Sequence, residues 1–371
     1  MQLSRRAFLA SSLAALSIPT WASSMPIEAQ GELFFSAFSK SKTEHFIGAF
    51  GSHGKLLWSM PLPDRAHAPV VHPTHSVVGA VARRPGFYMD FFNPFTGQAI
   101  QRIEPLAEHH FYGHAVFSQD GTRLITQENH FPTGAGKVVV RAWPEGQVLN
   151  EYSSGGIGPH ESVLLTPDTL VIANGGLRTH PDNDREIMNL DSMSPNVTFL
   201  SLSDGSVINQ AQHEPSLHQL SIRHLDVNAQ GVVALGFQYQ GELWDKVPLV
   251  ALASVDSDAL EYLDMPEHVR ARFKQYCGSV CFDKSGKTLA ISTPRGGFVA
   301  YWDVPTRAFL GVDNCRDVCG LVATNKKDQF VLTSGTGKQL ISTPRTQNIS
   351  QLNQLADIHW DNHLRRIDIN I

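Results

Sequence analysis

Apolar and polar positions alternate in short runs along most of this 371-residue chain, and few windows carry a helical period. Runs of this kind, four to eight residues long and bounded by Gly, Pro, Asn or Asp, read as β-strands. One unit recurs: strand, polar turn, strand, loop, strand, turn, strand. Its clearest copies begin at Ala115-Val116-Phe117-Ser118-Gln119-Asp120-Gly121 and Val280-Cys281-Phe282-Asp283-Lys284-Ser285-Gly286, where Asp-Gly and Ser-Gly supply the positive φ of tight hairpins. Weaker copies start at Val70, Val163, Leu225 and Leu321. Successive copies lie roughly forty to sixty residues apart, the period of a four-stranded propeller blade.

Six units are counted from His67 onward. Ahead of them, 32–38, 45–50 and 55–60 form three strands without a first partner, and 358–364 is a lone strand at the other end. The two fragments complement each other. The pattern predicts an all-β, seven-bladed β-propeller closed by the C-terminal strand, a ring that leaves only short sheet edges. Trp302-Asp303 fits the aromatic-Asp pair of a third blade strand. Two segments depart from the repeat. A helical run is expected over 264–275, with Pro266 in its first turn. After paired strands at 161–166 and 169–174, a polar stretch of some twenty residues shows no apolar periodicity, which marks a functional loop rather than a linker.

The N-terminus changes the picture of where the protein works. Ser4-Arg5-Arg6-Ala7-Phe8-Leu9, an apolar run to Ile18 and small residues near Ala22 read as a twin-arginine signal peptide over 1–24, leaving 25–371 as the propeller. The expectation is a periplasmic protein without a membrane span, most simply a monomer. A net charge of −5 with scattered basic residues excludes a nucleic-acid footprint. Cys277, Cys281, Cys315 and Cys319 form two pairs of four-residue spacing. Residues four apart on one strand are beyond disulfide reach, so any bridge runs between the pairs. Free buried thiols and a thiolate metal site stay open beside it.

Strand direction places the loops that enter first strands and the loops between second and third strands on one face. To that face map His67, His110, His114, His160, Glu161 and residues 360–363, together with Arg83, Arg84, Glu128, Asn129, residues 174–189, Gln238 and Arg295. Seventeen histidines, many of them in this ring, make imidazole ligation of Cu, Fe or Zn a candidate chemistry beside a structural, hydrogen-bonded role. No Gly-x-Ser-x-Gly elbow is present, and the Ser334–Lys338 stretch lacks the features of a phosphate loop.

Several motifs resemble one family. They include Gly-His-Ala-Val-Phe-Ser-Gln-Asp-Gly (113–121), Gly-Ile-Gly-Pro-His-Glu (156–161), Ala-Asn-Gly-Gly-Leu-Arg-Thr-His-Pro (173–181), Arg-His-Leu (223–225), Ser-Thr-Pro-Arg-Gly-Gly (292–297) and Trp-Asp-Asn-His (360–363). This pattern is similar to that of the exported bacterial propellers catalogued as domain of unknown function 1513. The resemblance implies a periplasmic setting near metal-uptake proteins, hence iron or copper, and brings no activity with it. The expectation is a ligand- or partner-binding protein whose top-face funnel is lined by His114, Glu128, Asn129, His160, Glu161, Asn174, Arg178, His180, Arg223, Gln238, Arg295 and His363. The alternative is a metal-dependent oxidoreductase or lactonase-like hydrolase on the same scaffold.

Overall fold

The computed structural model describes residues 30–183 and 186–370. The leader expected at 1–24 lies outside them. Seven antiparallel four-stranded sheets succeed one another around a ring. In blade 1, the C-terminal strand His359–Asn370 pairs with Gln30–Ser39, which continues into His45–Gly51 and Leu56–Leu62. The N- and C-terminal fragments therefore close the ring as their patterns require. The closing strand runs twelve residues, longer than the apolar segment that announced it. Blades 2 to 7 begin on the inner strands Ala66–Val71, His109–Phe117, Pro159–Leu164, Leu220–Val227, Ser279–Phe282 and Val318–Ala323.

Burial explains why the repeat was legible. Inner and middle strands are covered on both faces by neighbouring blades, so they read as near-continuous apolar runs. Val171, Phe199, Leu220, Leu235, Leu252, Leu289 and Trp302 join blades 4, 5 and 6 in a single cluster. Trp302 lies on the third strand of blade 6, Phe298–Asp303, and its indole N–H donates to Asp264 O at 2.9 Å. Outer strands such as Val148–Ser153 are largely exposed and correspondingly polar. Among the described residues no helix is long and apolar enough to cross a membrane.

Two expectations change. The helix between blades 5 and 6 is Glu267–Arg272, shorter at both ends than 264–275. Pro266 sits outside it in extended conformation, and Lys274 and Gln275 adopt positive φ, which a right-handed helix cannot include. The cross-blade disulfide is absent: all four cysteines are free and buried. Cys277 packs with Phe237 and Phe273, whereas Cys281 and Cys315 belong to the next cluster. Burial pushes the Cys277 thiol up to about 12, so it behaves as an inert small apolar group.

The inner strands share one irregularity that positions everything below. Pairing slips between Ser36 and Phe38 in blade 1, leaving Asp361, Asn362 and His363 out of the ladder. It slips again between Ala66 and Pro69, Phe111 and Ala115, Pro159 and Glu161, Ile222 and His224, and Val318 and Leu321. Only blade 6 keeps a regular inner register. A bulge bends its strand and re-aims the extra side chain; here the unpaired residues include His67, His114, His160, Arg223 and His363.

Candidate functional site

Five buried imidazoles gather where the bulged strands meet. Blades 1 to 5 contribute one each: His363, His67, His114, His160 and His224. Ring centroids lie 4.4 Å apart for His114 and His363, 4.5 Å for His67 and His363, and 4.8 Å for His160 and His224. Ring nitrogens of His67, His114 and His363 fall within 4.8 Å of one another, as do those of His114, His160 and His224. His114 thus belongs to both triads. Gly113 makes room for the approach: its φ is +105°, and a Cβ there would lie 2.7 Å from the His67 ring.

Oxygen acceptors hold these rings from behind. Glu161 Oε1 lies 3.3 Å from His114 Nδ1, and Oε2 lies 3.1 Å from His224 Nδ1. Arg365, from the closing strand, steadies the same carboxylate at 3.2 Å. Asp361 Oδ1 is 3.4 Å from His67 Nδ1, while its other oxygen accepts from Arg65. The Ser279 hydroxyl donates to Asn362 O at 2.6 Å, so it is left to accept from His363 Nδ1 at 3.2 Å. These acceptors place the proton on Nδ1 of His114, His224 and His363 and leave Nε2 of those rings with its lone pair, whereas Nδ1 of His67 makes no hydrogen bond to Asp361.

The ring nitrogens converge. Nε2 of His67 and Nε2 of His363 face each other at 3.2 Å, and Nε2 of His114 has no hydrogen-bond partner among the described residues. With the proton of His67 on Nε2, its 3.2 Å contact is an N–H···N hydrogen bond accepted by His363. Burial, reinforced by the neighbouring imidazoles, pushes His67 and His363 well below the usual histidine range, and burial with the Arg223 charge does the same to His160. Burial alone would raise Glu161, but His114, His224 and His363 overcome it and hold the carboxyl well below its usual range.

A pocket of about 40 Å3 lies beside the cluster and is lined in part by His67, His160 and His224. The same lining includes Arg83, Arg84 and Arg223 with Tyr112, Gln238, Tyr276 and Asn362. Burial and the Arg84 charge push Arg223 down to about 9, which still leaves a cation at neutral pH.

The family model described as Protein of unknown function (DUF1513) matches residues 60–367. The chain belongs to that family. No curated protein matches it. Among solved structures, Kuenenia stuttgartiensis hydrazine synthase is similar at a TM-score of 0.59 and 12% identity, over 91% of this chain and 99% of that one. A chain of a mitotic checkpoint complex is similar at 0.57 and 12%, over 77% and 76%. At such identities the likeness concerns the fold alone.

The DUF1513 chain distributes its expected funnel residues over three settings. His114, His160, Glu161 and His363 lie in the axial cluster. Arg223 and Gln238 line the pocket, and Arg295 stacks at 4.3 Å on Tyr276, another of its walls. The remaining five sit in local networks elsewhere. Glu128 accepts from Arg141 at 2.7 Å and from Thr126 at 2.8 Å inside blade 3. Asn129 ties His110 to Thr179 O, and Asn174 binds Ser154, Asn196 and Thr198. The Arg178 backbone N–H donates to Asn189 Oδ1, and the His180 ring packs on Phe131 at 5.3 Å. The expected set lacks His67, His224, Asp361 and Arg365. A signal existed for three of them: His67 and Asp361 map to the same face by strand direction, and His224 sits in the Arg-His-Leu motif. One histidine per inner strand in consecutive blades was the pattern to read.

Proposed function

We propose that this protein binds a single first-row transition-metal ion, iron or copper in class, on the propeller axis. The convergence of His67, His114 and His363, with one ring nitrogen of each within 4.8 Å of the others, carries the reading. His160 and His224 would supply further donors. Imidazole donors suit Zn, Cu, Fe and Ni, and carboxylates behind Nδ1 are the usual means of fixing ring orientation and raising ligand basicity. Burial of every donor supports a tightly held ion rather than one in rapid exchange.

The setting proposed for this site is the periplasm, on the strength of the Arg5-Arg6 leader pattern, with a role in iron or copper acquisition. Metal analysis of the full chain purified from its own host tests the core of the reading. The expected result is one equivalent of metal, removable by chelation and restored by Fe(II) or Cu(II). His114→Ala should abolish uptake because that ring serves both triads. Folded protein that takes up none of Fe(II), Cu(II) or Zn(II) would overturn the proposal.

A further inference from the structure

The axial cluster and the neighbouring pocket carry opposite chemistries. The cluster offers lone pairs, backed by Glu161. The pocket lining adds three guanidiniums, and no carboxylate is among the described residues that line it. Arg223 is set apart within this group. It is the extra residue of the bulge between Ile222 and His224, so the backbone departs from regular pairing at the point that places it here. Its Nε is buried without a hydrogen-bond partner among the described residues. Guanidinium forks match the planar or tetrahedral oxygens of carboxylates and phosphates.

We infer that this pocket binds a small oxyanion, a carboxylate or a phosphate, through Arg223 with Arg83 and Arg84, against the open side of the histidine cluster. The inference rests on the metal-site reading for one part only: with an ion on the axis, an anion oxygen would become an additional ligand to it. His67, His160 and His224 border both sites. The pocket admits an anion of a few heavy atoms, and the polar groups of Gln238 and Asn362 add neutral contacts to its wall. A nucleotide or a folded partner's loop finds no comparable space beside the rings.

Calorimetric titration of the full mature chain decides the matter, with oxalate and inorganic phosphate as separate probes, on metal-free and metal-loaded protein. One equivalent of at least one anion is expected to bind in both preparations, more tightly when metal is present. Arg223→Gln should weaken binding at least tenfold while metal content stays at the native value. Arg84→Gln provides a second variant should Arg223→Gln fail to fold, and near-ultraviolet circular dichroism identifies folded material. Preference for oxalate or for phosphate assigns the carboxylate or the phosphate class. Absence of saturable binding in both preparations overturns the inference, as does equal affinity in native protein and both folded variants. Anion binding that depends on Arg223 in a protein that takes up no metal would sustain the inference while removing the metal-site reading. Metal uptake without anion binding would do the reverse.

Discussion

Single side chains divide into those that hold the fold and those that the fold holds ready. Glu128 belongs to the first kind. It is fully buried against Arg141 within blade 3, and removing one partner of such a pair strands the other charge. Glu128→Ala should lower stability by about 3–5 kcal/mol and leave metal content unchanged, a result read from denaturant midpoints beside elemental analysis. Glu161 is the contrasting case. It touches His114 and His224, two rings of one triad, and His114 serves the other triad as well, so Glu161→Gln replaces one accepting oxygen by a donor facing an N–H. Metal affinity should fall about 10–100-fold, measured by competition with a chelating indicator, while the fold survives. Loss of folding without a selective loss of affinity would make Glu161 scaffold.

The closing strand His359–Asn370 has two roles at once. Trp360 packs at 5.3 Å on Phe38 and on Phe50, and Leu364 joins the same cluster, so blade 1 has no complete core without it. The same strand delivers Asp361, His363 and Arg365 to the axis. Deleting residues 357–371 should therefore yield protein that aggregates or oligomerises through the bared edge of Gln30–Ser39, as read by size-exclusion chromatography. A monomer with native melting temperature would refute the account of ring closure. The bulges act at this same scale. A regular inner strand alternates its side chains between two blade interfaces, and a slip of one residue turns a chosen side chain into the channel.

At the level of the whole molecule, buried histidines make stability depend on pH. His213, between Tyr262 and Phe237, and His110, beside Phe111 O, are both pushed down to about 4 by burial. In the unfolded chain each titrates near 6.5. Between pH 6.5 and 4 the unfolded state therefore binds more protons, and stability is fully present above 6.5 and lost as the pH falls. Each group contributes up to about 3 kcal/mol of this loss. Urea midpoints between pH 7.5 and 4.5 should fall steadily, and His213→Gln should flatten the slope. A midpoint independent of pH over that range would contradict the burial argument.

The sequence by itself determined the blade number, the strand order within each blade and the closure of the ring. Those follow from short apolar runs recurring along the chain, from Asp-Gly and Ser-Gly turns in the clearest copies, and from the complementary end fragments. It also placed His114, His160, Glu161 and His363 on one face of the ring. Which of that face's polar residues meet was decided only by the tertiary structure. Glu128 and His114 map to the same face, yet one points into a blade and the other into the channel. Pattern alone did not show the bulges, because an extra residue in a strand leaves no mark on hydrophobic periodicity when both faces are buried. The pairing of Asp361 with His67, and of Glu161 with His114 and His224, joins residues tens to hundreds of positions apart. Those contacts exist because the ring brings the inner strands of blades 1 to 5 to a common axis, where the five imidazoles come within coordinating distance.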